Sequence, residues 1–297
     1  VFVVSNPEFL SQGTAVHDSL FASRIVVGTD NEYVASVMYK LYEPLTKEPY
    51  NVPYLLTSRK SAEMIKYASN DFLALKISYI NEIANLCKFL GANIEEVSRG
   101  MGLDPRIGHK FLKAGIGYGG SCFPKDTKAL HWLSISSGIE LKTIKACIEV
   151  NENQKLLLFR QLKKDLNNLC GKTISILGLT FKPNTDDLRD APSILNILEL
   201  LKEEAIINLY DPVGIENFKL NAAKYGIDSF EKINFYNDID SAIQNADAVM
   251  IMTEWSEIMN YDVKKYKELM KKPRVYDGRN CYKLNDMKEI YYFSVGR

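Results

Sequence analysis

The sequence lacks several features that would assign it to a familiar class of protein. Its 297 residues include five scattered cysteines, with no C-x-x-C pair and no cluster with histidine, so neither a disulfide framework nor a zinc site is expected. No apolar run is long enough to cross a bilayer. Lysine plus arginine number 37, as do aspartate plus glutamate, so no basic surplus favours nucleic acid or an anionic membrane. These absences predict a cytoplasmic protein that binds no metal, nucleic acid or membrane.

Two further absences concern the start of the chain and the binding of phosphate. The chain begins on Val1-Phe2-Val3-Val4, the pattern of a strand interior with no initiator methionine, and we interpret it as a portion of a longer protein. No G-x-G-x-x-G follows any predicted strand, so the phosphate-binding turn of a dinucleotide-binding domain is not expected within these residues. Apolar residues make up 46% of the chain and charged residues 25%, as in ordinary globular domains.

The first third of the chain combines a piece of an α/β sheet with a very long helix. Three β-like runs lie at residues 1–5, 24–28 and 52–57, with one helix between the last two that Pro44 closes. From a cap at Ser61 to a stop at Gly91 nothing interrupts a helical pattern of about 45 Å. Its apolar residues cover more than one face, so we expect an all-helical core and a homodimer or higher homo-oligomer.

Helices continue to about residue 169, and a second α/β unit follows. The pattern predicts three helices, at residues 94–99, 124–137 and 143–169. It then predicts four strands, at residues 173–179, 206–210, 248–252 and 274–276, and a helix that begins at Pro192. Short loops in a β-α-β order indicate a parallel, doubly wound sheet. The fold class is therefore α/β, with a Rossmann-like remnant, a central all-helical core and a C-terminal doubly wound Rossmann-like domain.

Residues 115–126, Gly-Ile-Gly-Tyr-Gly-Gly-Ser-Cys-Phe-Pro-Lys-Asp, carry the strongest chemical signal. Their four glycines allow the backbone to approach a ligand closely. Pro124 then begins a helix, which puts Cys122 just before its N-terminus, where unpaired N–H groups and the helix dipole favour a thiolate. Lys125 adds a cation against the usual preference of a first turn, whereas Asp126 is ordinary there. A structural cysteine is the alternative interpretation, but this setting favours a nucleophile.

This loop and other segments resemble the UDP-glucose/GDP-mannose dehydrogenase family, and most closely its UDP-glucose 6-dehydrogenases. Six further segments match the family in order along essentially the whole chain: residues 5–14, 66–70, 104–108, 178–182, 187–189 and 277–279. The resemblance implies an NAD-dependent enzyme that oxidises the primary alcohol of UDP-glucose to the carboxylate of UDP-glucuronate. It also implies that the phosphate loop of the NAD domain lies upstream of Val1, so residues 1–297 alone are expected to be inactive.

The resemblance implies specific catalytic roles. Cys122 attacks the aldehyde, and the thiohemiacetal then yields a second hydride and a thioester that water hydrolyses. Lys66 and Asn70, four residues apart on one helix face, stabilise the developing alkoxide. Asp126 and Glu8 hold the water. From the residues alone, a solvated lysine, a surface asparagine and simple turn chemistry at Glu8 are the alternatives.

The other implied residues bind substrate and cofactor through cations and backbone donors, which a diphosphate requires. The substrate residues implied by the resemblance are Phe111, Lys113, Gly115, Tyr118, Gly119, Lys182 and Arg279, with Arg106 reaching the substrate from the partner subunit. Lys125 and Arg189 are implied to contact NAD. The alternative for each single lysine or arginine is an ordinary solvated surface residue.

We therefore predict three parts: a remnant of the NAD-binding domain at residues 1–58, a helical dimerisation and catalytic domain at 59–169, and a UDP-binding α/β domain at 170–297. Two alternatives remain. One is a dehydrogenase for another nucleotide sugar such as GDP-mannose, and the other is a non-catalytic module that binds a UDP-sugar or dimerises. The intact Cys122, Lys66, Asn70, Lys125 and Asp126 favour a catalytic protein.

Overall fold

The computed structural model describes residues 1–297, whose contacts divide into two compact units, Val1–Phe72 and Leu73–Arg297. The strands are β1 Ile25–Gly28, β2 Tyr54–Thr57, β3 Thr173–Leu177, β4 Ile206–Tyr210, β5 Ile233–Tyr236, β6 Ala248–Ile251, β7 Arg274–Asp277 and β8 Tyr291–Ser294. The helices are α1 Ala15–Leu20, α2 Glu32–Thr46, α3 Arg59–Leu90, α4 Ile94–Gly102, α5 Phe123–Ser136, α6 Lys142–Lys155, α7 Leu157–Leu166, α8 Pro192–Lys202, α9 Gly214–Asn221, α10 Ile239–Ile243, α11 Ser256–Met259 and α12 Lys264–Leu269.

The first unit is built on a two-stranded parallel sheet. In it β1 pairs with β2, and Val26 and Val27 are fully buried. The predicted strand at residues 1–5 is wrong, because only Ser5 makes a bridge, an antiparallel one with Gly28, while Val1 to Val3 are exposed. An apolar run forms a strand only where a neighbouring strand can accept its backbone hydrogen bonds, and residues 1–4 have none.

Two helix boundaries in this unit also differ from the sequence predictions. α2 continues through Pro44 to Thr46, since a proline in the last turn removes only one hydrogen bond near a helix end. α3 begins at Arg59, and its cap is Ser58 rather than Ser61, because the Ser58 hydroxyl accepts from the Ser61 backbone N–H at 3.2 Å. The sequence prediction thus placed the cap about one helical turn too late.

The long helix is confirmed, and the helix predicted at residues 143–169 is corrected. α3 has 32 residues and ends before Gly91, whose φ of +74° suits glycine. The second helix is interrupted at Leu156, which separates α6 from α7. The Lys155 carbonyl there accepts from the Asn196 side-chain amide at 2.8 Å. The Lys155 carbonyl is thus satisfied by a side chain that is distant in the sequence, and no local pattern predicts this contact.

The second unit contains a six-stranded, all-parallel sheet in the order β5-β4-β3-β6-β7-β8. Two strands, β5 and β8, are missing from the sequence prediction because they lie at the sheet edges and are only partly buried, which weakens their apolar pattern. The strand order reverses between β3 and β6, so a crevice is expected where the loops after these two strands diverge. Those loops begin at Gly178 and Met252; the first carries Lys182 and Arg189, while Arg279 follows β7.

Candidate functional site

The glycine-rich loop is held in shape by side chains of α6. The Asn151 side chain hydrogen-bonds to both backbone groups of Tyr118. Its Oδ1 accepts from the Tyr118 N–H at 2.8 Å, and its Nδ2 donates to the Tyr118 carbonyl at 3.1 Å. Gly117, with φ of +85°, leaves the space for this amide, since a Cβ there would come within 2.7 Å of the Asn151 Oδ1. Glycine is therefore required at residue 117 both for conformation and for space.

Two more buried amides fix the beginning of the same loop. Asn81 Oδ1 accepts from the Gly115 N–H at 2.8 Å, and Gln154 Nε2 donates to the Gly115 carbonyl at 2.7 Å. Sequence reasoning missed Asn81, Asn151 and Gln154. For Asn151 and Gln154 the available signal was their Asn-x-x-Gln spacing, which places both amides on the same helix face as the buried Ile144 and Cys147. An amide is buried there only if the backbone or another polar group satisfies it.

Cys122 lies where the sequence predicted, at the cap position of α5. It is exposed, its carbonyl accepts from the Asp126 N–H at 2.8 Å, and its Sγ is 3.6 Å from the Ser121 hydroxyl. Pro124 occupies the first turn of α5. The sulfur therefore stands at the end of the helix that carries unpaired N–H groups, where a negative charge is favoured.

A cavity of about 760 Å³ brings Cys122, Lys125 and Arg189 together. The Arg189 guanidinium donates to both carboxylate oxygens of Asp187, at 2.9 and 2.7 Å, and the Arg189 carbonyl accepts from the Gly120 N–H at 2.7 Å. This second contact ties the loop after β3 to the loop of Cys122. Leucines and a tyrosine supply the apolar wall of the cavity: Leu188, Leu195, Leu198 and Tyr225.

A second cavity, of about 250 Å³, contains all the predicted substrate residues except Arg106. The predicted residues that line it are Phe111, Lys113, Gly115, Tyr118, Gly119, Lys182 and Arg279. Burial and the neighbouring Cys147 thiol raise the pKa of Tyr118 well above its usual range, so its phenol is neutral. Three cations around a glycine-rich backbone are an arrangement that suits an anionic ligand.

Arg279 is fixed by the ends of three strands. Its Nε donates to the Met252 carbonyl at 2.8 Å, and its Nη2 lies 3.3 Å from the Phe181 carbonyl. Its own N–H donates to Asp277 at 2.8 Å. Burial raises the pKa of the Asp277 carboxyl, although three hydrogen bonds, one from the Tyr292 hydroxyl, oppose that shift. The arginine is therefore positioned before any ligand arrives.

Asp211, which sequence reasoning also missed, supports the crevice between β3 and β6. Its Oδ2 accepts from the Leu179 N–H at 2.6 Å and from the Trp255 indole N–H at 3.0 Å, and its Oδ1 accepts from the Gly214 N–H at 2.6 Å. An acidic residue after the second strand of a dinucleotide-binding sheet commonly contacts ribose. Here both oxygens are used within the protein, so Asp211 connects the loops after β3, β4 and β6.

Three predicted catalytic residues lie in the first unit. The Lys66 ammonium is 2.9 Å from the Glu8 carboxylate and also donates to the Glu8 carbonyl at 2.5 Å. Asn70 is buried one turn after Lys66 on α3. In the second unit, the buried Asp126 carboxylate is 3.3 Å from the Lys125 ammonium. Glu8 and Lys66 therefore contact each other, as do Lys125 and Asp126.

Arg106 lies apart from both cavities of the second unit. Its side chain is 87% exposed, and its guanidinium contacts the carboxylate of Asp104, with the shortest distance at 2.6 Å. Within this chain it therefore contacts no other predicted substrate residue.

Comparisons with known proteins match three consecutive parts of the chain to one family. The models of the UDP-glucose/GDP-mannose dehydrogenase family match with the NAD binding domain at residues 1–46, the central domain at 60–153 and the UDP binding domain at 175–284. A UDP-glucose 6-dehydrogenase of Rhizobium meliloti strain 1021 is 43% identical over 302 residues, which include all of this chain and 67% of that protein. The chain belongs to the UDP-glucose/GDP-mannose dehydrogenase family.

Other similar proteins support the same family assignment. The UDP-glucose 6-dehydrogenase YwqF of Bacillus subtilis strain 168 is 45% identical over all of this chain and 65% of its own length. The structure of a UDP-glucose dehydrogenase from Pyrobaculum islandicum superposes with a TM-score of 0.88 at 36% identity, over 99% of this chain and 63% of that one. The chain thus spans about two thirds of the length of the relatives that it matches.

These findings decide several of the predictions. The family, the α/β fold with its helical central and C-terminal UDP-binding parts, and NAD as the cofactor of the family are confirmed. The division at residues 58 and 169 stays a prediction, as do the roles of the individual site residues. No helix combines the length and the apolar character needed to span a membrane.

Proposed function

We propose that this chain forms the substrate-binding and nucleophile-bearing part of an NAD-dependent UDP-glucose 6-dehydrogenase that converts UDP-glucose to UDP-glucuronate. One observation carries the proposal: seven residues predicted to bind the nucleotide sugar line one cavity, and the loop that forms its wall continues directly to Cys122 in the next cavity. Curated relatives of 40–45% identity that are named UDP-glucose 6-dehydrogenases support the choice of substrate.

The smaller cavity would hold the nucleotide. Lys113, Lys182 and Arg279 would neutralise the diphosphate, and the glycine backbone from Gly115 to Gly119 allows the ligand to lie close to the chain. Because Arg279 is already held by three backbone carbonyls and by Asp277, little side-chain freedom is lost when the ligand binds.

Cys122 would act on the aldehyde that the first oxidation produces. Its sulfur forms a bond to the carbonyl carbon, and the oxygen of the resulting thiohemiacetal takes up a proton. Loss of that proton and of a hydride from the carbon gives a thioester. A water molecule then adds to the thioester carbon, and the carboxylate leaves as the Cys122 thiolate is regenerated.

Lys125 and Arg189 would contact NAD at the larger cavity, whose lining combines apolar residues such as Leu195 with the carboxylates of Glu152 and Asp190. When bound there, NAD accepts the hydrides that leave the substrate carbon. Arg189 and Lys125 would attract its diphosphate, and Arg189 also joins the cofactor side of the site to Gly120 of the Cys122 loop.

Four residues would manage protons and charge during the two oxidations. The Lys66 ammonium and the Asn70 amide would stabilise an alkoxide on the substrate. Asp126 and Glu8 would hold the hydrolytic water. The ion pair between Lys66 and Glu8 supports a role for both residues in the same reaction, because each charge stabilises the other.

A second copy of the chain would complete the assembly as a homodimer. Exposed large apolar residues on α3 and α5 support this proposal, since soluble monomers seldom expose many such groups together. They are Leu86, Phe89, Leu90, Trp132 and Ile135. Arg106, exposed and held only by Asp104, would reach the substrate of the partner subunit.

The test is ligand-dependent thermal stability of residues 1–297. UDP-glucose at 100 times its Kd should raise the Tm by about 5 °C, because a ligand that binds only the folded state stabilises it by mass action. GDP-mannose should have little effect. The control is the variant Arg279→Ala, for which the response to UDP-glucose should largely disappear.

The possible outcomes separate the candidate functions. A response to GDP-mannose but not to UDP-glucose would contradict the proposed substrate and favour the neighbouring dehydrogenase. Unchanged acid production after removal of the Cys122 thiol in catalytically active protein would contradict the role of Cys122 as the nucleophile. A response to UDP-glucose, together with no acid production by the full-length protein in the presence of NAD, would favour a binding module.

A further inference from the structure

Glu254 is the one carboxylate that lines the cavity proposed for the nucleotide. It follows β6, the strand beside which the order of the sheet reverses, so it lies at the crevice where doubly wound sheets bind ligands. Its neighbours on both sides are fixed: the Thr253 hydroxyl donates to the Thr180 carbonyl, and the Trp255 indole donates to Asp211. The position of Glu254 is thus set by the fold.

The charge of Glu254 is compensated, but one of its two carboxylate oxygens accepts no hydrogen bond. Its Oε2 is 3.4 Å from Arg279 Nε, and its Oε1 is 3.9 Å from Lys113 Nζ. The Arg279 Nε–H points instead to the Met252 carbonyl at 2.8 Å, and the enclosed Oε2 accepts no hydrogen bond. An enclosed carboxylate oxygen without a donor is unfavourable, so a donor is expected to come from elsewhere.

The ligand itself can supply that donor. A carboxylate repels a diphosphate, and its presence among the cations that would bind one weakens binding unless another part of the ligand gives it a proton to share. The groups next to a diphosphate in a nucleotide sugar are the two sugars, and their hydroxyls are the donors within reach. Either the ribose or the hexose could therefore contact Glu254.

The direction of the glycine-rich loop decides between the two sugars. The hexose carbon that is oxidised must reach Cys122, so the hexose lies toward Gly119 and Phe123 at that end of the loop. Glu254 contacts Lys113 at the opposite end. We propose that Glu254 accepts a hydrogen bond from a ribose hydroxyl of the bound nucleoside diphosphate, an inference that rests on the proposed function.

The experiment measures dissociation constants by titration calorimetry for UDP, 2′-deoxy-UDP and 3′-deoxy-UDP, using residues 1–297 and no catalytic activity. The unaltered chain should bind UDP about tenfold more tightly than the analogue that lacks the bonded hydroxyl, the usual effect of losing one hydrogen bond to a charged group. Glu254→Ala should bind all three ligands equally. Glu254→Gln, which keeps the shape and one acceptor, should retain a smaller preference.

Glu257→Ala is the matched control, because this glutamate lies three residues further on, is exposed and does not line the cavity. It should show the full preference for UDP. Equal binding of UDP and both deoxy analogues by the unaltered chain would overturn the ribose contact while leaving the proposed function intact, and so would a full preference retained by Glu254→Ala. Absence of any UDP binding would instead refute the nucleotide site and this proposal with it.

Discussion

The two cavities of the second unit share one loop but differ in how exposed their arginines are. In the smaller cavity Arg279 is 11% exposed and is fixed by backbone carbonyls and by Asp277. In the larger one Lys125 is 72% exposed and Arg189 62%, and Cys122 is open to solvent. The smaller cavity thus holds an arginine that is positioned before a ligand binds, whereas the larger one presents an arginine, a lysine and a thiol that are exposed to solvent.

The physical reason for the difference lies in what each cavity is built on. One wall of the smaller one lies on loops that follow parallel strands and carry Lys182 and Arg279, and Asp211 and Asp277 connect these loops. The exposed groups of the larger one lie on the start of α5, which carries Cys122 and Lys125, and on the loop of Arg189. Fixed donors bind a diphosphate at low entropic cost, and an exposed sulfur keeps the access to substrate carbon and water that its chemistry needs.

The largest expected effect comes from removing the nucleophile. Cys122→Ser in catalytically active protein should reduce formation of the acid by at least about a thousandfold, because a serine ester is a poorer acyl donor than a thioester. UDP-glucose binding should change little, since Cys122 does not line the smaller cavity. Mass spectrometry of the stalled protein should detect an adduct on residue 122.

The exposed Cys170 provides the control for this change, and Cys170→Ser should leave activity unaltered. Normal turnover by the Cys122→Ser variant would contradict the assignment of the nucleophile. Equal losses of UDP-glucose affinity and of turnover would contradict the separation of the two cavities.

An intermediate effect is expected from loosening the loop that the two cavities share. Asn151→Ala leaves the N–H and carbonyl of Tyr118 buried without partners, which should lower the free energy of unfolding by about 2 to 4 kcal/mol. Both UDP affinity and turnover should fall, because Tyr118 and Cys122 lie on the same loop. Urea denaturation and calorimetric titration would measure the two effects.

Asn153→Ala is the matched control on the same helix, where the side chain is exposed and contacts only Arg160, at 3.4 Å. It should be nearly neutral. If Asn151→Ala were equally neutral, the amide of Asn151 would not determine the shape of the glycine-rich loop.

The smallest expected effect concerns Tyr118, whose buried phenol lines the smaller cavity. The pKa of Tyr118 is raised by burial, so above about pH 10 the unfolded chain loses this proton while the folded chain retains it. The stabilising effect is therefore present below pH 10 and is lost as the pH rises further. Tyr118→Phe should change stability little at pH 7.

At higher pH the same variant should lose stability less steeply, by about 1.4 kcal/mol per pH unit, which corresponds to one proton. Urea denaturation at several pH values between 9 and 11 would measure this slope, with the exposed Tyr33→Phe as a reference. Identical slopes for Tyr118→Phe and the unaltered chain would mean that this phenol ionises freely and that the cavity is less closed than the structure indicates.

Local patterns in the sequence were sufficient for the long helix, the parallel C-terminal sheet and the position of Cys122. Each depends on neighbouring residues: Gly91 ends α3, alternation of buried runs and short loops produces the sheet, and Pro124 begins the helix after the cysteine. The family resemblance added the candidate residues of the nucleotide cavity. These features could be predicted because their causes lie within a few residues of each other.

Tertiary contacts decided the rest. The break at Leu156, the amides of Asn81 and Asn151 on the glycine-rich loop, and the unpaired oxygen of Glu254 depend on residues more than twenty positions apart. A buried polar group is satisfied by whatever backbone the fold brings to it, and that partner leaves no periodic trace in the sequence. The sequence by itself thus determined most of the helices and strands and the position of Cys122. Packing determined which side chains hold the glycine-rich loop and which oxygen of Glu254 has no hydrogen-bond donor.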